Sequence, residues 1–335
     1  MLTVGRLSSS KASALVIAVL LAGIGMGCFG AYVQAAPLYP DRPIRLIVGF
    51  SAGGATDTIA RMVGHQLSER LGQSVVVENK PGAGGTIATG YVASSPADGY
   101  TLLFTSASHA INATLYKSLP YDPVKDFEPV VPVASTLNVL VIHPSMQAST
   151  VKEFIDYAKA HPGELTMASG GIGSSSHLAG VLFNTMAGIK VTHIPYKGTA
   201  DSMRDLAAGE VDFTVDSVSA YLPYFENGSL RPLGVGDLKR SSLLPKVPTI
   251  DESGLSGYEV NAWVGILAPA HVPRSVVELL NRQVNDILAL PKMQAQLQKQ
   301  GSRPLGGTPE NYAELIQSDI KKFSKLIELA GIPRQ

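Results

Sequence analysis

The chain has 335 residues, 45% of them apolar and 16% charged, enough to bury more than one core, so two globular lobes are expected. Lysine plus arginine equals aspartate plus glutamate at 27 each, which provides no dominant positive field and sets nucleic acid aside as a partner. The single cysteine, Cys28, lies in the N-terminal apolar stretch, so disulfides, thiolate metal sites and cysteine nucleophiles are excluded together.

Residues 1–35 read as a signal peptide. Arg6 and Lys11 supply positive charge, Ala12 to Gly30 is an uncharged apolar run, and Tyr32-Val33-Gln34-Ala35-Ala36 offers small residues for cleavage after Ala35. Two rival readings stand beside this one. Cys28 could carry a lipid, although Gly25-Met26-Gly27 lacks the leucine-like residue expected three positions before the cysteine. The run could also span a bilayer as an uncleaved anchor, against which its glycines and cleavage-like end weigh. No later stretch is comparably apolar, so the mature chain is expected to be soluble.

From Arg42 onward short β-rich runs alternate with helical patterns, the signature of α/β layering around parallel strands. Ile44 to Val48 reads as a strand that runs into Phe50-Ser51-Ala52-Gly53-Gly54-Ala55-Thr56-Asp57, after which Ile59, Met62, Val63 and Leu67 recur at helical spacing. Val75 to Glu78 is the next strand, followed by the loop Asn79-Lys80-Pro81-Gly82-Ala83-Gly84-Gly85 and a short helix from Thr86. Strand Thr101 to Thr105 ends in Ser106-Ala107-Ser108. A second series opens with strand Val139 to Ile142 and the capping-box pattern Thr150-Val151-Lys152-Glu153.

In that series, strand Leu165 to Ala168 feeds Ser169-Gly170-Gly171-Ile172-Gly173-Ser174-Ser175-Ser176-His177 and a helix marked by Leu178, Leu182 and Met186. Strand Val191 to Ile194 leads through Pro195-Tyr196-Lys197-Gly198-Thr199 to a helix over Asp201 to Ala208 capped by Gly209, then to strand Val211 to Asp216. Tyr258 to Ala268 is extended and apolar, and Pro273 and Thr308-Pro309 open two helices, the last with Tyr312, Leu315, Ile316, Ile320, Phe323 and Ile327 on one face. Because no linker separates the two series, the expectation is lobes joined by crossing strands near Ser135 to Asn138 and Tyr258 to Ala262. The C-terminal helices should then return to the first lobe.

Glycine- and serine-rich loops at strand ends, each followed by a helix start, present free N–H groups and a favourable dipole to an anion. In open α/β sheets such loops gather outside the carboxyl ends of the strands and define a crevice. Nucleotide motifs fail: neither Gly82-Ala83-Gly84-Gly85-Thr86-Ile87 nor Gly171-Ile172-Gly173-Ser174-Ser175-Ser176 completes G-x-G-x-x-G, and no GxxxxGK[ST] occurs. Gly173-Ser174-Ser175-Ser176-His177 approaches G-x-S-x-G but places histidine where the final glycine belongs. An exported serine hydrolase using one of Ser174 to Ser176 with His177 or another histidine therefore stays open as the enzyme alternative. The seven histidines show no metal spacing, and neither a metal nor a cofactor is expected. Asp57 and Asp216 follow strand-end segments: as a pair they could do acid–base work, while singly Asp57 reads as an N-cap and Asp216 as a loop acceptor. Tyr196, Tyr221, Tyr224 and Trp263 fit a cleft or a core.

Taken together, SAGGATD at 51–57, ENKPGAGGTIATG at 78–90, ASGGIGSSSHLAG at 168–180, HIPYKGT at 193–199 and AAGEVDF at 207–213 resemble the tripartite tricarboxylate transporter receptor family, the Bug-type periplasmic binding proteins, over Tyr39 to Gln335. The resemblance implies an α/β, two-lobed periplasmic-binding-protein (Venus flytrap) fold, each lobe a mostly parallel sheet flanked by helices. Lobe 1 would comprise 37–137 plus 262–335 and lobe 2 would comprise 138–261. It further implies a monomeric periplasmic receptor, without catalysis, that holds a small organic acid and delivers it to membrane permease subunits. A ligand-sensing subunit of a signalling system would share the same fold. Carried over by motif, the ligand residues are Phe50, Ser51, Gly54 and Asp57 on one side and Ser169, Gly170, Gly173 and Ser174 on the other. Ser106, Thr199, Ala200 and Asp216 are additions. Ser51-Ala52-Gly53-Gly54 departs from the family, which usually has a proline before the glycine pair.

Overall fold

The computed structural model describes residues 1–3, 39–329 and 331–335; the signal-peptide reading and Cys28 lie outside the described residues. The fold is that of Pro40–Gln335. Strand β1 (Ile44–Val48) is apolar except for Arg45, as a strand covered on both faces requires. Arg45 escapes the core through a bidentate pair, its Nε and Nη2 each 2.7 Å from the Glu78 carboxylate, while Nη1 donates to the Tyr91 hydroxyl. Parallel neighbours β2 (Val75–Asn79) and β3 (Thr101–Ser106) flank β1. Helices α1 (Ala55–Leu71), α2 (Thr86–Ala93) and α3 (Ser108–Leu115) follow these three strands in turn.

The next strand, β4, is 16 residues long, Phe127–Ile142, where the sequence pattern marks only Val139 to Ile142. Pro129 and Pro132 hide its first half, because neither can donate to a ladder; register shifts beside both prolines absorb the missing donors. Up to Leu137, β4 pairs antiparallel with β9 (Asn261–Pro269); from Asn138 it pairs with β7 (Phe213–Ser217) and β8 (Arg231–Val235). The chain returns at a matching place: Val260 donates to the Gly236 carbonyl, and Asn261 lies opposite Leu137.

Beyond β7 lie β5 (Thr166–Ser169) and β6 (Thr192–Pro195), giving the order β2-β1-β3-β9-β4-β7-β5-β6, with parallel strands at both ends and antiparallel strands in the middle. The helices of this second half are α4 (Val151–Ala160), α5 (Ser175–Ala187), α6 (Thr199–Ala207) and the short α7 (Leu222–Glu226). Helix α4 carries its capping box with one displacement. Thr150 accepts the Glu153 N–H, but Glu153 reaches past the cap to the Ser149 N–H at 2.7 Å. Gly209, with φ of 76°, follows the Ala208 cap of α6 rather than forming it.

Helices α8 (Arg274–Leu288) and α9 (Pro291–Lys299), strand β10 (Ser302–Pro304) and α10 (Pro309–Leu329) complete the chain. Both α9 and β10 escape the sequence pattern: α9 buries only Met293 and Leu297, and β10 is three residues pairing Ser302, Arg303 and Pro304 with β4. Tyr312, Ile316, Phe323 and Ile327 of α10 are buried against Leu103, Ile111, Leu115 and Trp263, so this helix packs on the half built from β1 to β3. Among the described residues no helix is long and apolar enough to cross a membrane.

Candidate ligand-binding cleft

A cleft lies where the strand ends of the two halves meet. The first half contributes Phe50, Gly54, Ala55 and Thr56 from the β1–α1 turn and Ser106 from the end of β3. The second half contributes Gly170 and Ser174 to Ser176 from the β5–α5 turn, Thr199 at the start of α6, and Asp216 and Ser217 at the end of β7. The crossing strands form the floor with Thr136 and Asn138 of β4 and Ala262, Trp263 and Val264 of β9.

Three helix starts converge on this space. The first bond within α1 runs from the Thr58 N–H to the Gly54 carbonyl, which leaves the N–H groups of Ala55, Thr56 and Asp57 outside the helical ladder. In α5 the first bond is Leu178 to Ser174; Ser174 Oγ accepts the His177 N–H, leaving those of Ser175 and Ser176. In α6 the first bond is Ser202 to Gly198, leaving Thr199, Ala200 and Asp201. Ser175 Oγ is buried without a protein partner. The lining holds no lysine, arginine or histidine, and its one ionisable side chain is Asp216. The cleft is therefore rich in N–H and hydroxyl donors and carries the positive ends of helix dipoles, a setting for an anion with no cationic side chain.

Seven of the twelve residues expected at the ligand line the cleft: Phe50, Gly54, Ser106, Gly170, Ser174, Thr199 and Asp216. The other five stand behind it or join the halves. Ser51 Oγ donates to Asp201 Oδ2 at 2.8 Å, tying the β1–α1 turn to α6. Asp57 is not the N-cap; that position is Gly54, and the Asp57 carboxylate, 2% exposed, accepts the Gly53 N–H, Arg61 Nε and Asn79 Nδ2. Burial would raise its pKa, but hydrogen bonds from Arg61, Gly53 and Asn79 outweigh burial and hold the carboxyl below its usual range. It locks the glycine turn. Ser169 is fully buried in β5 against His193 Nε2 at 2.7 Å. Gly173 lies against Asn112, and Ala200 lies beside Gly54.

Asp216 belongs to the end of strand β7 opposite Val139, not to a loop. Its Oδ1 accepts the Ser217 N–H at 2.7 Å, and burial pushes its pKa up to about 6 despite help from Ser217, Thr199 and Tyr221. Trp263, the only tryptophan, is both core and cleft: its Nε1 donates to Asp319 Oδ2 at 2.6 Å, and its ring meets Tyr312 edge-on. Thr136, Asn138 and Ala262 were not expected at the ligand. Only the pairing of β4 with β9 and β7 brings them there.

The loop Asn79 to Gly85 does not line the cleft; it meets the opposite half. A Cβ on Gly84 would stand 2.2 Å from the Ile172 carbonyl oxygen, so the two loops touch backbone to backbone. The serine-hydrolase arrangement finds little support. Ser174 Oγ and Ser176 Oγ bond to each other and to backbone N–H groups, while His177 Nδ1 accepts the Gly173 N–H. His177 instead stacks on His193 at 4.4 Å. Among the described residues no cluster of histidine, cysteine, aspartate or glutamate could hold a metal.

A cleft lined from both halves of a sheet joined by crossing strands defines a periplasmic-binding-protein fold. Residues 59–332 match the model of the tripartite tricarboxylate transporter family receptor, and the chain belongs to that family. It is 40% identical to a protein encoded in the tcbD–tcbE intergenic region of Pseudomonas sp. (strain P51), covering 92% of this chain and 93% of that protein. Protein BugT of Bordetella pertussis is 36% identical, covering 93% and 97%. Among solved structures, R. palustris Rpa4515 with adipate superposes with a TM-score of 0.86 at 39% identity, covering 88% of this chain and 99% of that one. The periplasmic binding protein BugD gives 0.86 at 36%, covering 89% and 100%. MatC from Rhodopseudomonas palustris with bound malate gives 0.83 at 31%, covering 86% and 100%.

Proposed function

We propose that the chain is a periplasmic, non-catalytic solute receptor that binds a small carboxylate between lobe 1 (37–137 with 262–335) and lobe 2 (138–261). It would act as a monomer and deliver the ligand to permease subunits of a tripartite tricarboxylate-type transporter. The observation that carries this reading is the convergence of three helix N-termini, one from the first half and two from the second, on a cleft without a cationic side chain. The carboxylates bound by Rpa4515 and MatC support it. A ligand that touches both halves favours the closed arrangement by its differential affinity.

Trp263 supplies the direct test. As the single tryptophan and a cleft residue, it should change its emission when a dicarboxylate or hydroxy acid such as adipate or malate is titrated in, and Trp263→Phe should abolish the signal. Emission unmoved by every small carboxylate, in protein whose emission still shifts on unfolding, counts against the reading.

The lysines should matter little. Lys80 Nζ lies 4.4 Å from the centre of the Tyr91 ring, and neither Lys80 nor Lys197 lines the cleft. Lys80→Ala and Lys197→Ala should each weaken binding less than tenfold, with little salt dependence, because buried short-range donors are screened far less than exposed ion pairs. Calorimetry at low and high salt checks this; a collapse in either variant would mean that an ion pair holds the anion.

A further inference from the structure

We infer that the cleft selects a carboxylate whose other end bears a hydrogen-bond donor, an ammonium, amide or hydroxyl group, and that the Asp216 side chain makes the selection. This rests on the receptor reading above and narrows its ligand.

The cleft offers two kinds of group. Most are donors: the N–H groups at the starts of α1 and α5 that lie outside their helical ladders, and the unpaired hydroxyl of Ser175. These suit a carboxylate. Asp216 is the acceptor among them. It is 6% exposed yet lines the cavity. Its Oδ1 takes the Ser217 N–H, its Oδ2 receives the Tyr221 hydroxyl at a long 3.5 Å, and the Thr199 hydroxyl neighbours the carboxylate. The groups that face it from β7, the start of α6 and the segment carrying Tyr221 are hydroxyls and a backbone amide; no cation is among them. A buried carboxylate with no cationic partner is costly, and a ligand donor relieves that cost. The second carboxylate of a plain diacid would instead bring two anions together in one small desolvated space, where like charges oppose ionisation. Asp57 does not play this part, since it does not line the cleft and its carboxylate is already paired with Arg61, Gly53 and Asn79.

The test is calorimetry at pH 7.5 with two matched sets: adipate, 6-aminohexanoate and 6-hydroxyhexanoate, then succinate, 4-aminobutyrate and 4-hydroxybutyrate. The parent protein should bind a donor-bearing member at least tenfold tighter than the diacid of the same length. Asp216→Asn, whose amide offers a donor of its own, should erase or invert that ratio by improving the diacid. A ratio between ligands does not move if the substitution merely loosens the fold. Should the variant fail to fold, the parent ratio alone decides. A diacid bound as tightly as its donor-bearing partners, or a ratio unchanged in Asp216→Asn, overturns the inference and leaves the receptor reading standing. If none of the six binds and no other small carboxylate does, the receptor reading falls and this inference falls with it.

Discussion

Lowering the pH from 6.5 to 4.5 should destabilise this protein by about 2 kcal/mol per pH unit, most of it from three histidines. His109 is fully enclosed, and burial pulls its pKa down to about 4 although the Pro123 carbonyl opposes the shift. His177 falls to about 4 through burial and then through the neighbouring His193. His193 falls to about 4 through burial alone. Each is neutral when folded and takes up a proton near pH 6.5 when unfolded, so the stability it contributes is complete above that pH and is lost as pH falls toward 4. For His109 and His177 the loss is on the order of 3 kcal/mol each, and less for the partly exposed His193.

Asp216 acts in the opposite sense. Its carboxyl titrates near 6 when folded, so the folded state binds a proton there before the unfolded state does, and acid stabilises that site. The net is roughly two protons favouring the unfolded chain at pH 5. Urea titrations at half-unit intervals should show the midpoint falling steadily across the window, and His177→Gln should flatten the slope. A midpoint that holds constant from pH 6.5 to 4.5 would mean that these rings are solvated in solution.

Gly173→Ala should weaken ligand binding at least tenfold while leaving a folded protein. A methyl group there would lie 2.0 Å from Asn112 Oδ1, and the backbone has φ of 82°. Asn112 cannot simply turn aside, because its Nδ2 donates to the Gly84 carbonyl at 3.0 Å. The strained φ costs about 1 kcal/mol whether the cleft is open or closed. Asn112 belongs to the first half and Gly173 to the second, so on the two-lobed receptor reading the overlap burdens the closed form alone, and each 1.4 kcal/mol so charged is tenfold in affinity. Gly163→Ala is the control: its φ is 86°, but an added Cβ meets nothing within 4 Å, so it should lower stability without touching affinity. Equal affinity losses in the two variants would show that general loosening, rather than blocked closure, is responsible.

Legibility in the sequence followed the range of the interactions. Strand β1 and the face of α10 were plain, since apolar periodicity reports burial directly. Strand β4 was half hidden because its prolines forbid a ladder in isolation, and only β9, more than a hundred residues away, supplies the irregular register that tolerates them. The cleft residues on turns were readable for the same reason that turns are: Gly54, Gly170 and Ser174 are the residues that tight strand-to-helix connections use. The crossing segments that carry the floor were expected near Ser135 to Asn138 and Tyr258 to Ala262, but nothing in Thr136 or Asn138 themselves distinguishes a cleft residue from any buried strand position. Asp57, expected at the ligand, stands behind the turn, where Gly53, Arg61 and Asn79 donate to its carboxylate, a pairing that the motif alone does not reveal.

The position of β9 also imposes an order on folding. It lies between β3 and β4, so the sheet begun by Ile44–Val48 lacks an inner strand until Pro269 has been synthesised. Until then β3 presents an open edge on one side of the gap, able to pair with a stranger, while Pro129 and Pro132 blunt the facing edge of β4. Closing that gap brings together residues separated by nearly half of the chain, and long-range pairing of this kind is slow. A nascent or newly released chain therefore passes through a stage in which a vacant slot of one strand's width must be shielded from other polypeptides, and the last third of the sequence acts as the keystone that ends it.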